Sequence, residues 1–138
     1  MALPDDARIG CVTLTVSNLE RSLGFYRDIL GFDAMVRDGV GAVLSADGAT
    51  PLVELIERTD AIARPRRCTG LFHIAILVPS RAALGCSLRR LSDTKWPLTG
   101  VADHLVSEAL YLDDPDGYEV SLYWAGEKRT KSGRSARR

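Results

Sequence analysis

The feature that most constrains the fold of this chain is an internal repeat. A pattern of one strand, one helix and three strands occurs twice, and Cys11 and His73 stand at equivalent places 62 positions apart. Repeats of this length are built from supersecondary units that bury their apolar faces together. The sequence therefore predicts an α+β domain over residues 1–126, made of two βαβββ modules at about residues 8–57 and 70–124.

The first module begins with a β-branched strand, IGCVTLTV, and continues into a helix that Ser17 or Asn18 caps. Apolar residues then recur at helical spacing until Gly31, a residue suited to ending a helix. Asp-Gly pairs separate the short apolar runs that follow. We expect strands at residues 32–36, 41–45 and 52–57.

The second module repeats this order with the strand LFHIAILV and a helix that opens at Pro79 and Ser80. Leu84, Leu88 and Leu91 share one face of that helix. An Asp-Pro-Asp-Gly turn at residues 114–117 predicts a hairpin between the last two strands. We expect strands at residues 96–98, 107–112 and 119–124.

Composition excludes several classes of protein. Three cysteines without Cys-x-x-Cys spacing argue against a disulfide framework and a thiolate zinc site, and favour reduced thiols. The N-terminus carries no apolar signal-peptide core, and no run is apolar enough to span a membrane. Residues 127–138 hold 6 of the 18 basic residues and 1 of the 18 acidic ones, leaving a body of net charge −5. We expect a soluble cytoplasmic protein with a disordered basic tail and no nucleic-acid partner.

Several local motifs are specific enough to indicate a family. They are VSNLERS at residues 16–22, which leads into Phe25-Tyr26 and Leu30-Gly31, then FHIA at residues 72–75 and the turn DPDG. In these motifs the chain resembles the glyoxalase, bleomycin-resistance and extradiol-dioxygenase superfamily, also called vicinal oxygen chelate proteins. The resemblance implies paired modules that form a curved, partly open mixed sheet barrel around a pocket, and it implies a homodimer.

The same resemblance assigns four positions to metal ligands, on the first and last strands of each module. In this chain they are Cys11, Glu54, His73 and Ser121. The extradiol dioxygenases use a His, His, Glu triad, which falls on Cys11, His73 and Ser121. Only His73 keeps the expected ligand type there, and Ser121 replaces a carboxylate. The implied metal is Fe²⁺ or Mn²⁺, with Zn²⁺ less favoured, and a protein without metal stays an alternative.

The dioxygenase branch is favoured over the lyases by the segment that follows. His104, Tyr111 and the DPDG turn stand at the spacing of that branch. There, His104 would hydrogen-bond or exchange a proton with an anionic ligand, and Tyr111 would orient an oxygen substituent. Ser121 and Tyr123 would line the substrate pocket. Each residue also has an ordinary structural interpretation: a surface histidine, a core tyrosine or a wall aromatic.

Ordinary structural interpretations exist for the metal positions too. Cys11 lies in an apolar strand, where cysteine usually behaves as a small buried hydrophobe. A lone histidine such as His73 is often a hydrogen-bonded core residue. Glu54 shares a strand face with Leu52 and Ile56, where an unpaired carboxylate is costly, so we expect it to face the pocket.

Three functions follow from these observations. The leading hypothesis is a protein that binds a small aromatic or oxygenated metabolite and, with a divalent metal, cleaves an aromatic ring as an extradiol dioxygenase does. The second is a metal-free binding protein that sequesters a small molecule, favoured by Cys11 and Ser121. The third is a glyoxalase-like lyase or isomerase with Glu54 and His73 as metal ligands.

Overall fold

The computed structural model describes residues 3–63, 65 and 68–126. The chain divides after Pro65 into two compact units, each containing one module. This confirms the two βαβββ modules that the repeat predicts. The expected basic tail at residues 127–138 lies outside the described residues, so its disorder stays a prediction.

The first unit contains four strands and one helical segment. Its sheet has the order β1-β4-β3-β2, in which β1 and β4 run parallel and the other neighbours are antiparallel. The helix α1 continues directly into a π-helical stretch. The elements are β1 (Val12–Val16), α1 (Leu19–Leu23), the π-helix (Gly24–Leu30), β2 (Asp33–Arg37), β3 (Gly41–Ser45) and β4 (Pro51–Glu57).

The helical segment of the first unit begins and ends at the residues that the sequence indicates. The Asn18 Oδ1 atom accepts a hydrogen bond from the backbone N–H of Arg21 at 2.8 Å. The sheet adds a second acceptor, since the N–H of Leu19 donates to Glu57 Oε1 at 2.7 Å. Gly31 ends the segment with φ 91°, a left-handed conformation that favours glycine.

The second unit repeats the arrangement with a longer helix. Its sheet has the order β5-β8-β7-β6, with β5 and β8 parallel. The Ser80 Oγ atom caps the helix by accepting from the N–H of Ala83 at 3.0 Å. The elements are β5 (His73–Leu77), α2 (Arg81–Asp93), β6 (Gly100–Asp103), β7 (Ser107–Asp113) and β8 (Glu119–Ala125).

The strand expected at residues 96–98 is wrong. Pro97 has no N–H to give to a sheet, and Trp96 is held in place by its indole, which donates to the backbone oxygen of Asp113 at 3.1 Å. The strand of this region lies further along, at Gly100–Asp103, where it pairs with β7. Of the three leucines that share one face of α2, Leu84 and Leu91 are buried and Leu88 is 43 % exposed.

The core of each unit lies between the helix and one face of the sheet. Fully burying a large apolar side chain stabilises the fold by about 1.5–3 kcal/mol. In the first unit the core contains Leu14, Val16, Leu23, Phe25, Tyr26, Leu44, Val53 and Leu55. In the second it contains Ile74, Leu84, Leu91, Leu110, Leu112, Val120 and Leu122.

The two sheets are hydrogen-bonded separately. Among the described strands, each of the two sheets has four strands, and no strand of one pairs with a strand of the other. Strand pairing therefore does not close the sheets into a barrel. None of the helices in the described part of the chain is long and apolar enough to cross a membrane.

Candidate functional site

The candidate site residues within the strands of both units lie on the sheet face that points away from the helix. In the first unit Glu57, on the same face of β4 as the buried Val53, reaches the start of α1. Glu54 lies on the opposite face because successive strand residues alternate. In the second unit Glu108 of β7 reaches Arg81 of α2 at 2.8 Å. Tyr111 stands three positions after Glu108 in β7, so it lies on the face opposite the helix.

The first unit places Thr13 beside Glu54. The two residues are direct partners in the β1–β4 register, and the Thr13 hydroxyl donates to Glu54 Oε2 at 3.0 Å. Glu54 is half-buried on a face that it shares with the partly exposed Leu52 and Ile56. Among the described residues its carboxylate has one hydrogen-bond partner, and it retains oxygen lone pairs for a ligand.

Cys11 precedes β1 and is exposed, so it is not the small buried hydrophobe of the ordinary interpretation. Partial burial of the sulfur, and then the negative charge of Glu54, raise the pKa of the Cys11 thiol. Metals bind the thiolate, and this environment favours the neutral thiol. The charge of Glu54 therefore acts on Cys11, and a metal bound by Cys11 would have to displace the thiol proton.

The second unit places His73 beside Glu119. These residues are direct partners in the β5–β8 register, and His73 Nδ1 lies 3.9 Å from Glu119 Oε1. The Nδ1 atom is buried and has no hydrogen-bond partner among the described residues. His73 is therefore not the hydrogen-bonded core histidine of the ordinary interpretation.

Tyr111, Ser121 and Tyr123 lie on the same sheet face as His73. Tyr111 is the direct partner of Ser121 in the β7–β8 register, and Ser121 also lies opposite Ala75 of β5. Tyr123 occupies the next row of this face, opposite Leu77. Ser121 is buried and the two tyrosines are half-buried. The sheet thus places an imidazole, a hydroxyl and two phenols on one face.

His104 is separated from this group. It lies in the turn after β6, where its backbone N–H donates to the Ser107 oxygen at 2.8 Å. The register puts Ser107 opposite Ala125, at the other end of β8 from the residue that faces His73. His73, on the outer strand β5, and His104, directly after the outer strand β6, therefore lie at diagonally opposite corners of the second sheet. His104 is exposed, and its role stays a prediction.

Hydrogen bonds from backbone N–H groups to Asp114 hold the DPDG turn. The Asp114 Oδ1 atom accepts from the N–H groups of Asp116 at 2.9 Å and Tyr118 at 2.8 Å. Gly117 has φ 85°, and its N–H donates to the Asp114 oxygen at 3.0 Å. These bonds fix the β7–β8 connection and so set the register that places Tyr111 against Ser121.

The donor set fits a divalent metal in part. Glu54 and His73 suit Fe²⁺ or Mn²⁺, since each offers a free lone pair on an accessible sheet face. Cys11 and Ser121 fit poorly, because a neutral thiol and a hydroxyl are weak ligands. Within either unit of the described chain, no three His, Cys, Asp or Glu residues come together as a metal-binding group.

Two residues that contact the candidate ligands were missed in the sequence. Thr13 and Glu119 lie beside Glu54 and His73, respectively. Strand alternation could have indicated Glu119, because it stands two residues before Ser121 on the same face. Its pairing with His73 depends on the β5–β8 register, which the sequence does not show.

Comparison with known proteins agrees with this architecture. The profile of the Glyoxalase/Bleomycin resistance protein/Dioxygenase superfamily matches residues 8–122. The chain belongs to this superfamily. The match covers both modules, from before β1 to within β8. It confirms the family that the motifs indicate, whose fold is the vicinal oxygen chelate fold.

Two relatives from Bacillus subtilis (strain 168) are named as dioxygenases. The chain is 44% identical over 123 residues to catechol-2,3-dioxygenase, a match covering 88% of this chain and 43% of the relative. It is 31% identical over 122 residues to MhqA, described as a candidate ring-cleaving dioxygenase, covering 83% of this chain and 38% of that protein. The chain thus spans less than half the length of these relatives.

Solved structures share the fold. A glyoxalase/dioxygenase from Nostoc punctiforme superposes with a TM-score of 0.78 at 17% identity, covering 92% of this chain and 97% of that one. Lactoylglutathione lyase from Agrobacterium tumefaciens superposes with a TM-score of 0.67 at 17% identity, covering 88% and 96%. At these identities the likeness shows the fold and leaves the chemistry to the residues of the site.

Proposed function

We propose that this chain binds a small oxygenated aromatic molecule and acts within the extradiol ring-cleaving branch of the superfamily. The observation that carries the proposal is the polar face of the second sheet, where His73 lies with Tyr111, Ser121 and Tyr123. Two phenols, a hydroxyl and an imidazole on one sheet face suit a ring that carries oxygen substituents. Similarity to catechol-2,3-dioxygenase supports the same class of ligand.

In this proposal His73 and Glu54 are the metal-binding residues of their respective units, and the metal is Fe²⁺ or Mn²⁺. Such a metal, when bound, supplies a Lewis acid for adjacent oxygens of the ligand. Tyr111 orients an oxygen substituent through its hydroxyl. His104 donates or accepts a proton. Because Cys11 and Ser121 are weak ligands, we expect metal affinity below that of a site with a full His, His, Glu triad.

A second function is favoured by a specific observation. The raised pKa of Cys11 and the hydroxyl of Ser121 leave each unit with a single strong donor at the implied ligand positions. A protein with these donors can bind an aromatic molecule on the same polar face without metal. In that case the chain sequesters its ligand and does not cleave it.

The first experiment is a measurement of metal content by mass spectrometry on untagged protein, before and after reconstitution with Fe²⁺ or Mn²⁺. The proposed dioxygenase role predicts near-stoichiometric metal in the wild type and its loss in His73→Ala. Leu77→Ala, on the same face of β5, is the matched control and should keep the metal. Absence of metal in reconstituted wild-type protein would reject the metal-dependent role.

The second function is then separated by ligand binding. Catechols should raise the melting temperature of the metal-free protein if it sequesters such molecules, and they should be consumed with oxygen if it cleaves them. Tyr111→Phe should weaken either interaction by about tenfold or less, as expected for one hydrogen bond. The proposed homodimer is tested on the same samples by light scattering.

A further inference from the structure

His73 carries an unsatisfied polar atom at a defined place. Its Nδ1 is buried and without a hydrogen-bond partner among the described residues. The ring also packs edge-on against Phe72, with centroids 5.0 Å apart and an interplanar angle of 65°. A buried ring nitrogen in a native protein normally finds an acceptor or a donor. Nδ1 of His73 lacks the partner that a buried ring nitrogen normally has.

Glu119 is the side chain that can satisfy this atom. Its Oε1 lies 3.9 Å from Nδ1, which is about 1 Å longer than a hydrogen bond. The register holds the two residues directly opposite each other on neighbouring strands, so only a side-chain rotation separates them from contact. Asp113 lies on the other side of Glu119 in the β7–β8 register.

We propose that Glu119 is a positioning residue that accepts a hydrogen bond from Nδ1–H of His73 and thereby presents the lone pair of Nε2 to the ligand face. The tautomer of a neutral imidazole is set by the hydrogen bond that one nitrogen makes. Histidines that bind metals commonly donate their second N–H to a carboxylate in this way. Glu119 is thus not a substitute for the carboxylate missing at Ser121, since it acts through His73.

The relevance of this arrangement to metal rests on the proposed function, whereas the tautomer can be measured without metal. The chain has two histidines, so ¹⁵N-histidine labelling gives a spectrum that His104→Gln assigns. The ¹⁵N shifts of metal-free wild-type protein should show the proton of neutral His73 on Nδ1. Glu119→Ala should move it to Nε2, while Glu119→Gln should retain it through the amide oxygen. Asp113→Asn, one strand further along the same row, should leave it unchanged.

Metal affinity provides the second measurement. Mn²⁺ titration should show affinity lowered by about 10- to 100-fold in Glu119→Ala and unchanged in Asp113→Asn. A wild-type His73 protonated on Nε2, or a tautomer indifferent to Glu119→Ala, would overturn the inference whether or not metal binds. Wild-type protein with the expected tautomer and no Mn²⁺ binding would support the positioning role and reject the metal-dependent function. Equal Mn²⁺ affinity in wild type and Glu119→Ala would reject the positioning role and leave that function standing.

Discussion

The two units share an order of strands and differ in the chemistry of equivalent positions. At the ligand positions that the resemblance implies, the first unit has the thiol of Cys11 before its first strand and the carboxylate of Glu54 on its last strand. The second unit has His73 on its first strand and Ser121 on its last. The faces that pack against the helices are mainly apolar in both sheets, with Glu57 and Glu108 at their edges. The fold therefore requires apolar residues on the sheet face against the helix, whereas the residues on the opposite face can differ between the units.

The units also differ in how firmly their corresponding turns are held. An aspartate carboxylate organises the turn before the last strand of each unit, through Asp47 in the first and Asp114 in the second. Asp114 is buried, whereas Asp47 is exposed. Removal of the buried Asp114 carboxylate leaves N–H donors that water reaches poorly, whereas water can replace the exposed Asp47 carboxylate. Substitution of Asp114 should therefore lower the stability of the fold more than substitution of Asp47.

The largest expected effect is loss of a core leucine in either unit. Leu55 of β4 and Leu112 of β7 are fully buried, so each Leu→Ala change should lower the free energy of unfolding by about 3 kcal/mol. Urea denaturation measures both, and Leu88→Ala on the exposed part of α2 should cost less than about 1 kcal/mol. If either core variant lost less than about 1 kcal/mol of unfolding free energy, the two cores would not be equally well packed.

Asp114→Ala should be the next largest change. The substitution leaves the N–H groups of Asp116 and Tyr118 without their acceptor, and we expect a loss of about 2 kcal/mol in urea denaturation. Asp114→Asn, which retains an oxygen acceptor, is the matched control and should recover part of the stability. If both variants are as stable as the wild type, the carboxylate does not organise this turn.

Replacement of Cys11 and Ser121 by stronger metal ligands tests the chemical difference between the units. Cys11→His combined with Ser121→Glu should raise Fe²⁺ affinity by at least about tenfold, equivalent to 1.4 kcal/mol. The variant restores the ligand types that the superfamily resemblance places at these positions. Ala125→Glu, which adds a carboxylate to an exposed position on the same face of β8, should leave the affinity unchanged. Equal affinity in the double variant and the wild type would mean that these positions are not ligand positions.

The smallest effect concerns the exposed turn of the first unit. Hydrogen bonds from the N–H groups of Thr50 and Ala49 lower the pKa of Asp47 from 3.8 to about 2. A lowered pKa in the folded state means that this stabilisation is fully present above pH 3.8 and is lost as pH falls through 2. Asp47→Asn should therefore reduce the acid dependence of the melting temperature between pH 4 and pH 2. An unchanged acid profile would show that the turn is not held by the ionised carboxylate.

The sequence predicted most of the fold because its signals are local. Asn18 and Ser80 cap the two helices, Gly31 ends the first helical segment, and the DPDG turn joins the last two strands. The misplaced strand at residues 96–98 shows the limit of such signals. Trp96 and Leu98 are typical strand residues when considered alone. The indole N–H of Trp96, however, donates a hydrogen bond to the backbone oxygen of a residue 17 positions away.

The candidate site was predictable only by residue type. The resemblance selected Cys11, Glu54, His73 and Ser121, and strand alternation put Glu54 on the face opposite Val53. Exposure of Cys11 and the distance between His104 and His73 within the sheet were not predictable. Both depend on where a strand begins and on how four strands are ordered.

The sequence by itself determined two βαβββ modules, their helix caps and the superfamily, because alternation, capping residues and turn residues act over a few neighbouring positions. The tertiary structure decided which side chains meet. The β1–β4 and β5–β8 pairings join strands that are distant in the chain, and their registers put Thr13 against Glu54 and Glu119 against His73. A shift of one residue in either register would move these side chains apart, because alternate residues of a strand face opposite sides of the sheet.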